Sequence, residues 1–240
     1  MQTNTVMLCS PHSMPVLRVS LPVLISHGVK PIVYSCGAAV ADEVEQMGAY
    51  AVRLPEADGG DYGSEGFSPF IGRKFDAILA ELVGANVLFL DADVLAFSDP
   101  TQDIDEDCDI FAQDDWAEPI ASRGPQICTG CWWIRSCPEN RTFLAKSKKL
   151  TERPPEFGYW CDEAVVNLLA RDTSLRVKFA DRNVWQNGMR WNCAGRTGSP
   201  HLLHLNGTGH FTTEDKLSAM RYAIEMLSPQ FASAPSTRHG

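Results

Sequence analysis

A chain of 240 residues, 44% hydrophobic and 21% charged, carries enough apolar material for a sizeable core and lies well away from compositions that stay disordered. Its formal net charge of −9 argues against general attraction to nucleic-acid phosphates or anionic membranes. The apolar stretch at 16–25 is interrupted by Arg18, Ser20 and Pro22, which is too broken for a membrane span and lacks the flanks of a secretory signal, so a cytoplasmic location is expected.

In chain order, residues 5–10 form a short apolar run that ends at Ser10, Pro11 and His12, as a buried strand opening into a loop would. A helical pattern follows. Ser13 can cap it, Pro15 suits its first turn, Val16, Leu17, Leu21, Leu24 and Ile25 give it an inner face, Pro22 would kink it and Gly28 stops it. Residues 31–34 read as a second strand, 38–47 as a helix and 49–54 as a third strand. Such alternation predicts an α/β fold with a mostly parallel sheet covered by helices on both faces. Residues 55–69, rich in Gly, Asp, Ser and Glu, read as a loop longer than most connections, hence functional or mobile. Phe70, Phe75, Ile78, Leu79 and Leu82 then share one face of a helix over 69–83, ended by Gly84. The unbroken apolar run at 86–90 marks a central strand buried on both sides.

Further strands are expected over 109–113, 127–135, 175–180 and 201–205, and helices over 139–150, 162–170 and 213–227, the last with Leu217, Met220, Ile224 and Leu227 inward. Residues 185–200 show no period and read as loop. Asp103, Asp105, Glu106 and Asp107 read as a solvated acidic loop. Of the eight cysteines, Cys128 and Cys131 make a C-x-x-C pair without a second close pair, so buried free thiols are expected rather than zinc or disulfides.

Asp91 and Asp93 carry the strongest chemical signal. They follow a buried strand of an α/β sheet, at the carboxyl end where such sheets place ligands. Two carboxylates two residues apart point the same way only if Ala92 turns aside, and oxygen ligands so placed suit Mg²⁺ or Mn²⁺ bridging to a diphosphate.

The segment FLDADV resembles the Asp-x-Asp motif of nucleotide-sugar transferases of the GT-A fold. RKFDAIL at 73–79 is similar to the basic-headed helix before that motif. CTGCWWIRS at 128–136 is similar to the family's Asn-Thr-Gly strand, with Cys128 in place of Asn, and CDEAVVNLL to its Asp-Gln or Asp-Glu helix start. HLLHLNG resembles its late His motif. The resemblance runs in order over roughly residues 5–209 and implies a Rossmann-like GT-A domain at 1–228, with a nucleotide-binding half of about 1–95, a metal-closing and acceptor half of about 96–228, and a flexible tail at 229–240.

The resemblance further implies a metal-dependent glycosyltransferase taking a nucleotide-diphosphate-sugar, UDP-sugar favoured, with Asp91, Asp93 and His204 holding Mn²⁺ or Mg²⁺. Asp91 would share the metal or bind ribose, and His210 is a lesser candidate. Ser10 and His12 fall on the base and ribose side, although a tight turn also explains them. Arg73 and Lys74 are diphosphate-side cations or ordinary surface charges. Asp162 and Glu163 are the candidate catalytic pair, as general base or sugar-orienting group, or else a helix cap. Tyr159 and Trp160 could stack on a sugar ring, and Trp185 and Trp191 could cover the site. The acceptor stays open among glycan, protein, metabolite and hydroxylated DNA base. Two other classes compete: an aspartate-nucleophile phosphatase or phosphotransferase, whose paired Asp normally open the chain on its first strand, and a non-catalytic nucleotide-sugar binder.

Overall fold

The computed structural model describes residues 2–57, 67–115, 124–152, 161–193, 195–196, 198–206 and 212–228. Four parallel strands form the first half of a seven-stranded sheet: β1 (Thr3–Cys9), β2 (Ile32–Cys36), β3 (Tyr50–Leu54) and β4 (Asn86–Leu90). Beyond them come β6 (Ile110–Asp114), β7 (Ile127–Ile134) and β8 (Val177–Phe179), with β5 (Val94–Ala96) set aside for a smaller sheet. The order is β3-β2-β1-β4-β7-β6-β8, and β7 alone runs against its neighbours. β2 and β4 lie on opposite sides of β1. The winding therefore reverses there, and the carboxyl ends of β1 and β4 flank the crevice where an open α/β sheet places its ligand.

The unbroken apolarity of 86–90 follows from two-sided burial. Leu88 and Leu90 join one core cluster, while Val87 and Phe89 join the other, on the opposite face. β7 alternates likewise, Cys131 and Trp133 against Trp132 and Ile134. The first face is covered by α1 (Met14–Ser26), α2 (Ala38–Gln46) and α7 (Thr213–Leu227); the second by α3 (Phe67–Glu81), α4 (Pro138–Thr151) and α5 (Asp162–Ala170). Trp132 is fully buried, and truncating such a side chain to Ala costs about 3–5 kcal/mol.

A second sheet decides the site. β10 (Leu202–His204) pairs antiparallel with β5 and parallel with β9 (Trp185–Asn187). His204 stands opposite Val94, one residue past Asp93.

Several expectations need correction. Ser13 occupies the N-cap position of α1 without capping it; its Oγ instead accepts the Ser10 N–H at 2.9 Å. The helix continues through Pro22, whose ring lies on the exposed side, so the missing N–H costs no buried partner. Residues 185–200 are not one loop, because they hold β9 and α6 (Gly188–Cys193). Trp185 and Trp191 are core residues rather than a cover over the site. Asp103 is not solvated either: it accepts from Trp185 Nε1 at 3.0 Å and pairs with His201. Asp105 and Asp107 remain exposed, paired with Lys178 and Arg176. Cys9, Cys36, Cys108, Cys128 and Cys131 are buried free thiols. No helix among the described residues is long and apolar enough to cross a membrane. The central part of the expected 55–69 loop, Tyr159, Trp160, His210 and the tail from 229 lie outside the described residues.

Candidate functional site

The turn after β4 is fixed by its backbone. The Asp91 N–H donates to Gly130 C=O at 2.8 Å, the Val94 N–H to Asp91 C=O at 3.2 Å, and the Leu205 N–H to Asp93 C=O at 3.2 Å. Ser20 donates its hydroxyl to Ala92 C=O at 2.6 Å. Ala92 itself packs into the core. With the middle residue turned inward, both Asp side chains face one point, as the Asp-x-Asp spacing requires.

His204 closes that point. Its Nε2 lies 3.2 Å from Asp93 Oδ1 and 3.9 Å from Asp91 Oδ2, and one ligand atom from each of the three residues falls within 4.8 Å of the others. Its Nδ1 faces Gln113 Oε1 at 3.2 Å and Cys128 Sγ at 3.3 Å. The amide oxygen can only accept, so it favours the proton on Nδ1 and leaves the Nε2 lone pair toward the carboxylates, as metal-binding imidazoles require. Gly130 lies beneath. A Cβ there would overlap Asp91 Oδ2 and fall 2.8 Å from His204 Nε2, so only glycine lets the two side chains converge. The residues thus fit a hard divalent cation in donor set and in shape.

Lys216, on α7, places Nζ 2.5 Å from Asp93 Oδ2. Burial works against ionisation of Asp93, but the Lys216 ammonium outweighs it and holds the carboxyl far below its usual range. Burial pushes Asp91 upward, opposed by Lys74. Asp93 in turn raises Lys216.

Lys74 is no surface charge. It is buried, its Nζ donates to Asp162 Oδ2 at 2.6 Å and lies 3.3 Å from Asp91 Oδ1 and 4.9 Å from the centre of the Phe89 ring. Burial disfavours its charge, yet Asp162 and Asp91 keep it above the ordinary Lys range. Asp162 also accepts from Thr129 Oγ1 at 2.7 Å; Lys74 and Thr129 overcome burial and hold it ionised. The cap of α5 is Cys161, whose sulfur accepts the Ala164 N–H at 3.4 Å, so neither carboxylate is the N-cap. Glu163 faces Asp115 instead.

The other candidates stand apart. Ser10 is buried at the end of β1, where its C=O accepts the Ser13 and Met14 N–H groups, and His12 lies exposed on the same turn. Arg73 reaches the ends of β2 and β3, with Nη1 3.4 Å from Cys36 Sγ and in contact with the Pro55 carbonyl. Sequence reasoning missed Lys216, Gln113 and Asp115, none of which has a neighbouring motif, and gave no role to Gly130, although it lies within the CTGCWWIRS segment. For Lys74 a signal existed: it lies four residues from both Phe70 and Ile78, on the apolar face of its helix.

A sequence profile for nucleotide-diphospho-sugar transferases matches residues 40–220, and the chain belongs to that family. No curated protein matches it. Among solved structures, the apo form of the glycosyltransferase GlyE from Streptococcus pneumoniae TIGR4 is similar with a TM-score of 0.61 and 16% identity, over 92% of this chain and 60% of that one. A glycosyltransferase involved in glycosylation of the major capsid of PBCV-1 gives 0.59 and 12%, over 92% of this chain and 100% of that one. The bifunctional glycosyltransferase WbbM gives 0.61 and 12%, over 96% of this chain and 51% of that one. At these identities the likeness establishes the fold. The chain spans the whole of the PBCV-1 protein but 60% or less of GlyE and WbbM.

Proposed function

We propose that the protein is a metal-dependent glycosyltransferase that moves a sugar from a nucleotide-diphosphate-sugar, with UDP-sugar favoured, to an acceptor hydroxyl. The observation that carries the reading is the convergence of Asp91, Asp93 and His204 over Gly130, at the switch point of the sheet. These three residues would hold Mn²⁺ or Mg²⁺. Such an ion supplies Lewis-acid neutralisation of the charge that develops on a departing nucleoside diphosphate.

The chain's own residues set up the rest. Gln113 and Cys128 orient His204, and Lys74 fixes Asp91 and Asp162 relative to each other. Ser10 and His12 lie at the carboxyl end of β1, on the proposed nucleotide side, with Arg73 beyond β2. Asp162 and Glu163, at the start of α5, would serve the sugar or the acceptor, with Asp162 as a carboxylate fixed by Lys74 and Thr129.

The reading is tested by melting curves across a panel of nucleotide-sugars with and without Mn²⁺, because a ligand that binds only the folded state raises stability with occupancy. At least one UDP-sugar is expected to raise the melting temperature only when Mn²⁺ is present, and incubation with that donor should release nucleoside diphosphate. Release of inorganic phosphate instead would identify a phosphotransfer enzyme, and binding without release a non-catalytic module. No metal-dependent shift with any donor would overturn the proposal.

A further inference from the structure

The three residues of the triad come from two different sheets. Asp91 and Asp93 follow β4 of the large sheet, whereas His204 ends β10 of the small one, so their spacing depends on how the small sheet is held against the large one. The residue beside His204 in the small sheet is Asn187, the last of β9. Its side chain is buried and reaches out of its own sheet: Nδ2 donates to the Asp114 C=O at 3.1 Å and to the Asp115 C=O at 2.9 Å. Oδ1 accepts the Arg190 N–H at 2.8 Å, which settles the two ends of the amide and leaves neither idle.

The carbonyls it takes directly follow Gln113 at the end of β6. There the pairing of β6 with β7 is interrupted: Ala112 faces Trp132, yet Asp114 faces Ile127, so residues 128–131 stand against Gln113 alone. Such breaks disturb the ladder and re-aim side chains, and Gln113 turns its amide toward His204, with Oε1 3.2 Å from Nδ1. A closed loop of contacts results. His204 meets Gln113 through its side chain, and its strand neighbour Asn187 holds the two residues after Gln113. Gly188 keeps the loop tight, because a Cβ there would fall 3.0 Å from the Asn206 carbonyl oxygen and 3.2 Å from Leu205 Cα. The other end of β9 is held differently. Trp185 donates Nε1 to Asp103 at 3.0 Å and packs edge-on against Phe111, contacts that involve neither Gln113 nor the triad.

We propose that Asn187 is a positioning residue of the metal site, clamping the small sheet to the end of β6 so that His204 meets Gln113 and the two aspartates; the inference rests on the metal-binding reading of the triad. Asn187 lies outside the donor set. It acts through the separation of two backbones, where a shift of about 1 Å spoils a preorganised site. An asparagine that served the fold alone would affect stability and leave the affinity of the folded protein for the ion unchanged.

Calorimetry of Mn²⁺ binding, beside melting curves, separates the two roles. Asn187→Ala is expected to lower Mn²⁺ affinity about tenfold or more, the scale on which groups behind metal ligands act. Trp185→Phe, which removes a hydrogen bond from the same strand, should lower the melting temperature and leave the affinity as it was. In a His204→Ala background, Asn187→Ala should cause no further loss, because residues that act through one group are not additive. Unchanged affinity in Asn187→Ala, an equal loss in Trp185→Phe, or the full further loss in the His204→Ala background overturns the proposal. If Asn187→Ala does not fold, Asn187→Ser, which keeps one donor, enters the same comparison with the same criteria. If wild type binds no Mn²⁺, the metal reading fails, and crystal structures of the ligand-free proteins decide the clamp: a His204 to Gln113 contact present in wild type and lost in the variant upholds it, and the same contact in both overturns it.

Discussion

Two groups of carboxyls meet in one crevice and are kept from repelling each other by different means. Around Asp91, Asp93 and Asp162 the balancing charge is covalently attached: Lys74 lies between Asp162 and Asp91, and Lys216 beside Asp93. At Glu163, burial, Asp115 and Asp162 instead push the carboxyl up to about 9, against the pull of Lys74. A neighbouring ammonium favours the ionised carboxylate that a divalent cation needs, whereas a buried carboxyl crowded mainly by other carboxylates favours its neutral form.

The contrast breaks most visibly at Asp162. Asp162→Asn leaves buried Lys74 with one carboxylate instead of two, and removing a partner from a buried ion pair costs about 3–5 kcal/mol. Urea unfolding should register that loss; a change below about 1 kcal/mol, as for an exposed pair, would show that Lys74 does not depend on Asp162. Gly130→Ala should act on the metal more than on the fold, because the added Cβ forces Asp91 and His204 apart. Mn²⁺ affinity is expected to fall by about 10–100-fold, the scale of damage to the groups that orient ligands, measured by calorimetry on a variant that melts near wild type.

Lys216→Met should shift affinity the other way. It removes the cation that competes for Asp93, and Mn²⁺ should bind about three- to tenfold more tightly, equivalent to roughly 1 kcal/mol. Weaker Mn²⁺ binding would show that Lys216 supports the ion rather than competing with it. A further effect is one of pH. The Glu163 carboxyl is raised from 4.5 to about 9 in the folded protein, so between those values the folded state holds a proton that the unfolded state has lost, and wild-type stability falls as pH rises. Glu163→Gln lacks this loss. Its stability relative to wild type should climb from about pH 4.5 to about pH 9 and then level off; a constant difference would mean that Glu163 is ionised in the fold.

Elements long enough to show a period were legible in the sequence. β4, α3 and α5 follow from runs and spacings that local sequence carries, Asp91 and Asp93 from their place at a strand end, and His204 from the resemblance of HLLHLNG to a late His motif. β5 and β9 have three residues each and α6 has six, too few for any period to emerge, and β5 and β9 exist because β10 pairs with both. The partners of the site were hidden for a related reason. Gln113 and Lys216 meet their partners across 91 and 123 residues of chain, and no local pattern announces such a contact. For Lys74 the surface-charge alternative could have been set aside from helical position: its place between Phe70 and Ile78 already put it indoors.

The central claim is that Asp91, Asp93 and His204 together hold the divalent ion that carries the nucleotide-sugar. Its most direct test is electron paramagnetic resonance of Mn²⁺ titrated with wild type and with Asp93→Ala, in the presence of the donor selected by melting, since the sharp signal of free aqueous Mn²⁺ broadens when the ion is bound. The account predicts that wild type depletes the free-ion signal stoichiometrically and that Asp93→Ala, still folded, leaves it almost untouched. Equal depletion by both proteins would contradict it.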